Sequence, residues 1–230
     1  MINSSRKNLI PLFVIIGGSI LLLISFGMRH SMGLYLIPIS EHLNTGRELF
    51  SFASALNVLM IGIGSPIFGA LSDKYGSGRA AILGILMVIL SLFWMANLQG
   101  AFDIIVSQTI FGFGCAGCGT AVVLGAVGRS VKQANRTLAL GIVMAAGSFG
   151  QFIMVPIIGY LIEIFGWSQS LTLLVFVASI MIIFSFFLNF SQQSDSSKAG
   201  TDQSLKEAVF AHSKYKRSTT ISLGFFVCGF

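Results

Sequence analysis

Pro66-Ile-Phe-Gly-Ala-Leu-Ser-Asp-Lys-Tyr-Gly76 and Pro156-Ile-Ile-Gly-Tyr-Leu-Ile-Glu-Ile-Phe-Gly166 are one eleven-residue phrase written twice, ninety residues apart. Five positions are identical, and Asp73/Glu163 and Tyr75/Phe165 are conservative pairs. Pro-x-x-Gly punctuation recurs at helix ends by chance, but neither the acid nor the aromatic-Gly match is needed merely to end a helix. Each copy closes a long apolar stretch, the first copy the second stretch and the other copy the fifth. An odd number of crossings reverses direction, so the two copies face opposite sides of whatever the stretches cross. That is the signature of an inverted-topology repeat.

The medium being crossed follows from composition. Of 230 residues 54% are hydrophobic and only 10% charged, with a mean hydropathy of +0.86. So few charges cannot coat a soluble domain of this size, which excludes soluble enzymes, nucleic-acid binders and secreted disulfide scaffolds. The three cysteines, Cys115, Cys118 and Cys228, lie in apolar stretches and act as small hydrophobes. Crossing the hydrocarbon core takes about 20 apolar residues. Six stretches reach that length: Leu9–Ile37, Leu49–Leu71, Ala80–Leu98, Phe102–Val127, Leu138–Ile162 and Leu171–Phe190. A seventh begins near Ile221, and its ten residues to Phe230 make about 15 Å of helix, half the core. The predicted fold is all-α and polytopic, a six-helix bundle of two inverted three-helix repeats over 1–190. A linker over 191–218 and the start of a seventh helix over 219–230 follow.

Basic residues orient it. Twelve of the fourteen Lys and Arg fall in residues 1–8, 72–79, 128–137 and 191–218, which are alternate connections. The other side has only Arg47, and Arg29 lies within the first apolar stretch. The positive-inside rule puts the N terminus and the linker in the cytoplasm. The linker holds seven serines and no sustained apolar run, and Ser204 with Glu207 makes a capping box for one short surface helix.

Gly69-Ala-Leu-Ser-Asp73-Lys74-Tyr75-Gly76-Ser-Gly-Arg79 resembles the signature loop of the major facilitator superfamily. The fifth stretch, Ala145-Ala-Gly147-Ser-Phe-Gly150 through Pro156-Ile-Ile-Gly159 to Phe165-Gly166-Trp167, resembles the branch of monocarboxylate porters and oxalate:formate antiporters. Gly78 stands where the loop often has its first basic residue. Ser130-Val131 and Ser168 replace the branch's usual aromatic pair and Arg. The resemblance covers residues 9–190 and implies the first of two six-helix bundles, with substrate bound between bundles at the midplane. The second bundle would come from the rest of a longer chain or from a second half-size chain.

Arg29 is the sharpest site candidate. A charge inside a span costs roughly 2.5–3.5 kcal/mol and normally faces a partner or a cavity, and its planar fork suits a carboxylate. The resemblance implies a basic residue at this place in anion recognition. An upright helix starting at Leu9 would instead bring Arg29 to the outer interface, where it snorkels. Asn57, Gln108 and Gln151 are the polar residues within the other stretches, each either lining a cavity or bonding between helices. Gln108, Gly112, Cys115 and Gly119 share a helix face by spacing. Asp73, Lys74 and Arg79, set by Gly69 and Gly76, are implied by the resemblance to form a cytoplasmic gate. The alternative for them is turn chemistry with positive-inside charge. Gly147, Gly150 and Gly159 permit close helix approach and Pro156 permits bending.

Glu41, Glu48, Asp73, Asp103 and Glu163 all sit at span ends or in loops, leaving no mid-span carboxylate in this half for proton coupling. No zinc-type His-Glu cluster, Gly-x-Ser-x-Gly elbow or paired intramembrane acids support an enzyme, and no cofactor or metal is expected. The expectation is a secondary transporter segment for a small organic anion such as a monocarboxylate, with a coupled proton or exchanged anion as the accompanying species. A drug or metabolite exporter and a non-transporting half-length scaffold are the alternatives. The expected setting is the plasma membrane.

Overall fold

A computed structural model describes residues 2–189 of the chain, with side-chain surroundings over 11–189. The linker, the Ser204 capping box and the seventh helix lie outside the described residues. Among the described residues the chain is helical with no strand, and six helices are long and apolar enough to span a membrane. They are span 1 (Pro11–His42), span 2 (Arg47–Tyr75), span 3 (Ser77–Ala96), span 4 (Ala101–Ser130), span 5 (Gln133–Phe165) and span 6 (Trp167–Asn189).

Most of these helices outrun their apolar runs, because a helix satisfies its own backbone wherever the chain meets the headgroup region. Span 1 reaches His42 rather than Ile37 for a further reason. It turns through a 3-10 segment at Met32–Tyr35 and restarts at Leu36. Pro38 then falls in a first helical turn, where its missing N–H is not required.

The duplicated phrase is duplicated in three dimensions. Gly76 alone joins spans 2 and 3, and Gly166 alone joins spans 5 and 6, with φ of 100° and 81°. Both conformations favour glycine. The Gly76 N–H donates to the Ser72 carbonyl at 3.0 Å and the Ala80 N–H to the Gly76 carbonyl at 3.1 Å. The same two bonds recur from Gly166 to Ile162 at 2.9 Å and from Ser170 to Gly166 at 3.1 Å.

Packing obeys the same symmetry. Span 1 packs on span 5 as span 4 packs on span 2; span 1 meets span 6 as span 4 meets span 3; spans 3 and 6 pack on each other. Exchanging 1 with 4, 2 with 5 and 3 with 6 leaves this set of pairings unchanged, with the 3–6 pair mapping onto itself. Lipid tails are as apolar as Leu, so close approach at small residues drives these seams. A side chain at Gly150 would collide with the Leu23 carbonyl, and one at Gly112 with the Asn57 carbonyl. At Gly84 an added Cβ would come within 2.7 Å of the Gly114 carbonyl. Span 4 is the most enclosed helix, whereas spans 2 and 5 turn most of their apolar surface outward.

Span 4, the partner of span 1 in the repeat, is also interrupted. Its two helices, Ala101–Gly117 and Thr120–Ser130, are separated by Cys118 and Gly119. At the end of the bundle holding Gly166, Tyr35 and Ser170 hydroxyls bond at 2.8 Å, the Ser168 hydroxyl donates to the Ala96 carbonyl at 2.7 Å, and His42 packs on Trp167. Asp103 caps span 4 there, accepting from the Gln99 N–H at 2.9 Å and the Gly100 N–H at 3.1 Å.

Candidate functional site

Arg29 stands in the last turn of the long helix of span 1, immediately before the 3-10 turn. It is half-buried and makes no hydrogen bond or ion pair to any described residue. Its depth can be read from its neighbours. One turn earlier the Ser25 hydroxyl contacts the Cys118 thiol at 3.6 Å, and span 4 runs antiparallel to span 1. Arg29 is therefore level with the turn containing Cys115. Cys115 is halfway along span 4. The next residue, His30, is exposed.

Gln151 is half-buried on span 5, beside the seam where Gly150 meets Leu23 and Gly147 meets Phe26. Spans 1 and 5 run parallel, which puts Gln151 about one helical turn from the level of Arg29. Gly159 is only in ordinary contact with Leu34 at 3.8 Å, and Pro156 is exposed within the helix.

Asn57 and Gln108 meet each other. The Asn57 amide donates to the Gln108 carbonyl at 3.2 Å and to its side-chain oxygen at 2.9 Å, locking span 2 to span 4. Both are buried, and Gln108 Nε2 has no partner. No hydrogen bond joins this pair to Arg29 or Gln151. Gln108, Gly112, Cys115 and Gly119 are all buried, and the interruption at Cys118-Gly119 breaks their common face.

The orphaned nitrogen makes the pair asymmetric. Gln108→Leu removes that donor and leaves Asn57 a carbonyl to bond, so its expected cost is under about 1 kcal/mol. Asn57→Leu strands both ends of the Gln108 amide, at about 1–3 kcal/mol. Thermal unfolding in detergent should rank wild type and Gln108→Leu together, above Asn57→Leu. The double variant should recover part of the loss.

At the opposite end from Gly166, Arg129 gathers three spans. Its Nη1 donates to Asp73 Oδ1 at 2.6 Å, and its Nη2 donates to the hydroxyls of Ser72 at 3.1 Å and Ser77 at 2.6 Å. Ser72 also donates to Ser77 at 2.9 Å. Asp73 belongs to span 2, Ser77 to span 3 and Arg129 to span 4. Gly76 is buried in the turn between them, while Lys74 and Arg79 point outward, exposed. Gly69 is half-buried, and a side chain there would meet nothing within 4 Å. The Asn189 amide occupies the space a side chain at Gly78 would need.

Sequence reasoning counted Arg129 among the basic residues of a loop and missed its role. The signal was present: within residues 2–189, Asp73 is the single acid at this end of the bundle and Arg129 is one of the few cations there. The repeat carries no copy of the arrangement. Ninety residues before Arg129 stands Ile39, which is buried, and Glu163 is exposed without an ion pair among the described residues. Because Arg129 makes three bonds and Asp73 one, Arg129→Gln should cost about 1–2 kcal/mol and Asp73→Asn about half that, the ion pair being largely exposed. Equal losses in thermal unfolding would contradict this ranking.

Inverted repeats, interrupted helices and a mid-span cation with no ion pair among the described residues define a polytopic membrane protein of transporter architecture. The sequence pattern of the Major Facilitator Superfamily matches residues 17–230. The chain belongs to that superfamily. It is 26% identical to mouse (Mus musculus) monocarboxylate transporter 11 over 155 residues, covering 66% of this chain and 34% of that protein. It is 21% identical to the MFS-type transporter pynF of Aspergillus niger over 207 residues, covering 88% of this chain and 47% of that protein. It is 30% identical to the methyl viologen resistance protein SmvA of Salmonella typhimurium over 130 residues, covering 54% of this chain and 25% of that protein. The chain thus spans between about a quarter and a half of the length of these relatives.

Proposed function

We propose that this chain is the N-terminal bundle of a secondary transporter that moves a small organic anion, a monocarboxylate being the type, by alternating access. The observation that carries the reading is Arg29: a half-buried guanidinium without a hydrogen-bond or ion-pair partner among the described residues, level with the middle of span 4. Interrupted helices in related units of inverted repeats point to a binding site, and spans 1 and 4, which the repeat exchanges, are both interrupted, at Met32–Tyr35 and about one turn away in the repeat's register at Cys118-Gly119. In this reading Arg29 holds the carboxylate and Gln151 lies one turn away. The Asn57–Gln108 pair fixes the spacing of spans 2 and 4 beside the site. The seam at Gly147 and Gly150, with Pro156 and Gly159 further along, lets span 5 follow span 1. Asp73, Lys74 and Arg79, turned by Gly69 and Gly76, form the gate, with Arg129 as its internal anchor.

The second bundle belongs to the remainder of a longer chain or to a second half-size chain. The acids of the described residues lie at span ends, so a coupled proton would use a carboxylate of that other bundle, and exchange against a second anion would need none. The basic connections favour a cytoplasmic N terminus, and a plasma-membrane setting goes with the reading.

The likeness to a methyl viologen resistance protein favours a second reading, export of a cationic drug or metabolite. The two differ in the charge wanted at the site. Uptake of radiolabelled monocarboxylates by the complete transporter, with and without Arg29→Gln, separates them. Loss of uptake at unchanged membrane abundance supports the anion reading, and normal uptake by the variant overturns it.

A further inference from the structure

We propose that the groove between spans 2 and 3 binds an anionic phospholipid, one acyl chain lying in the groove and the headgroup resting on Lys74 and Arg79. The groove has a volume of about 350 Å³ and is lined by Ile67 and Leu71 of span 2, by Leu83, Leu86 and Leu90 of span 3, and by Phe113 of span 4. It is open to the outside, since Ile67, Leu83, Leu86 and Leu90 are each about half exposed.

Helical spacing continues both walls into charge. Ile67, Leu71 and Lys74 follow each other at steps of four and three. Arg79, Leu83, Leu86 and Leu90 follow at four, three and four. Each set forms one stripe on its helix. Both stripes therefore change from apolar to cationic at the same end, on either side of the one-residue turn at Gly76. Lys74 and Arg79 are exposed and have no carboxylate partner among the described residues. The adjacent Asp73 is held by Arg129 at 2.6 Å. From Leu83 to Leu90 the wall of the groove on span 3 rises about 10 Å, with Arg79 about one turn beyond its end, so the groove lies within one leaflet of the roughly 30 Å hydrocarbon core. An apolar slot confined to one leaflet with two cations beyond its mouth has the shape and charge of a single anionic lipid.

Native mass spectrometry of the full chain, released from micelles holding equal phosphatidylglycerol and phosphatidylcholine, tests the site. The wild type should retain phosphatidylglycerol preferentially. Lys74→Gln with Arg79→Gln should lower that preference about five-fold per cation. Leu86→Trp, filling the groove, should remove the retained lipid of either kind. Lys132→Gln, which removes an exposed cation at the same end but off the groove, should leave the preference unchanged. Equal retention of the two lipids by wild type overturns the proposal, as does a preference that survives the double Gln change or falls equally with Lys132→Gln. Release as a dimer that Leu86→Trp dissociates would assign the groove to a second copy and also overturns it. The double Gln variant alters only exposed side chains, so the result stands even where Leu86→Trp fails to fold.

Discussion

Gly150→Val is expected to abolish the folded bundle, while Gly141→Val, the same change on the same helix, leaves it intact. Nothing lies within 4 Å of a side chain added at Gly141. At Gly150 the obstacle is the backbone carbonyl of Leu23, which cannot rotate aside as a side-chain end can. Spans 1 and 5 must separate, and the seam at Gly27, where an added Cβ would come within 2.9 Å of the Gly150 carbonyl, separates with them. Overpacking ordinarily costs about 1–3 kcal/mol. Losing most of a helix–helix seam costs more, out of a total stability of about 5–15 kcal/mol. Gel filtration in detergent and thermal unfolding read the outcome. Similar behaviour of the two variants would refute the account of packing given for spans 1 and 5.

Arg29→Gln is the second large effect, and its direction differs for function and for stability. An unpaired cation inside a span costs roughly 2.5–3.5 kcal/mol of insertion free energy, so removing it leaves the amount of protein in the membrane the same or higher. Recognition moves the other way. A bidentate pair supplies two hydrogen bonds to a charged group at about 1.5–3 kcal/mol each, and losing it raises KM for a carboxylate by at least about a hundredfold. Arg29→Lys keeps the charge without the fork and should fall between. A snorkelling arginine predicts unchanged uptake together with lower insertion efficiency, so the same pair of measurements tells the two roles apart.

Six spans and their inverted pairing were legible because the bilayer leaves a chain few choices: a run of about 20 apolar residues reads as a span, and the Pro66 and Pro156 phrases mark the repeat. Helix interruptions were not legible. Nothing about Met32–Tyr35 in sequence distinguishes a 3-10 turn from continuous helix, since the segment is as apolar as its neighbours. The Tyr35–Ser170 bond joins residues 135 apart, and no periodicity connects them. At the candidate site, Arg29 stood out because charge is rare in a span. The pairing of Asn57 with Gln108 depended on the lateral order of spans 2 and 4, which spacing along one chain does not contain. Arg129 lies between these cases, hidden by being counted as topology yet recoverable from Asp73, the lone acid at that end among the described residues.

The single-glycine turns have a mechanical meaning. With one residue between helices there is no slack, so a displacement of span 2 is delivered undiminished to span 3, and one of span 5 to span 6. The connections at 43–46 and 97–100 are longer and can absorb movement. The bundle is therefore two stiff hairpins with span 1 and span 4 set against them. Force applied at the Gly76 turn is transmitted through a linkage, while force applied at the 97–100 connection is damped by a spring.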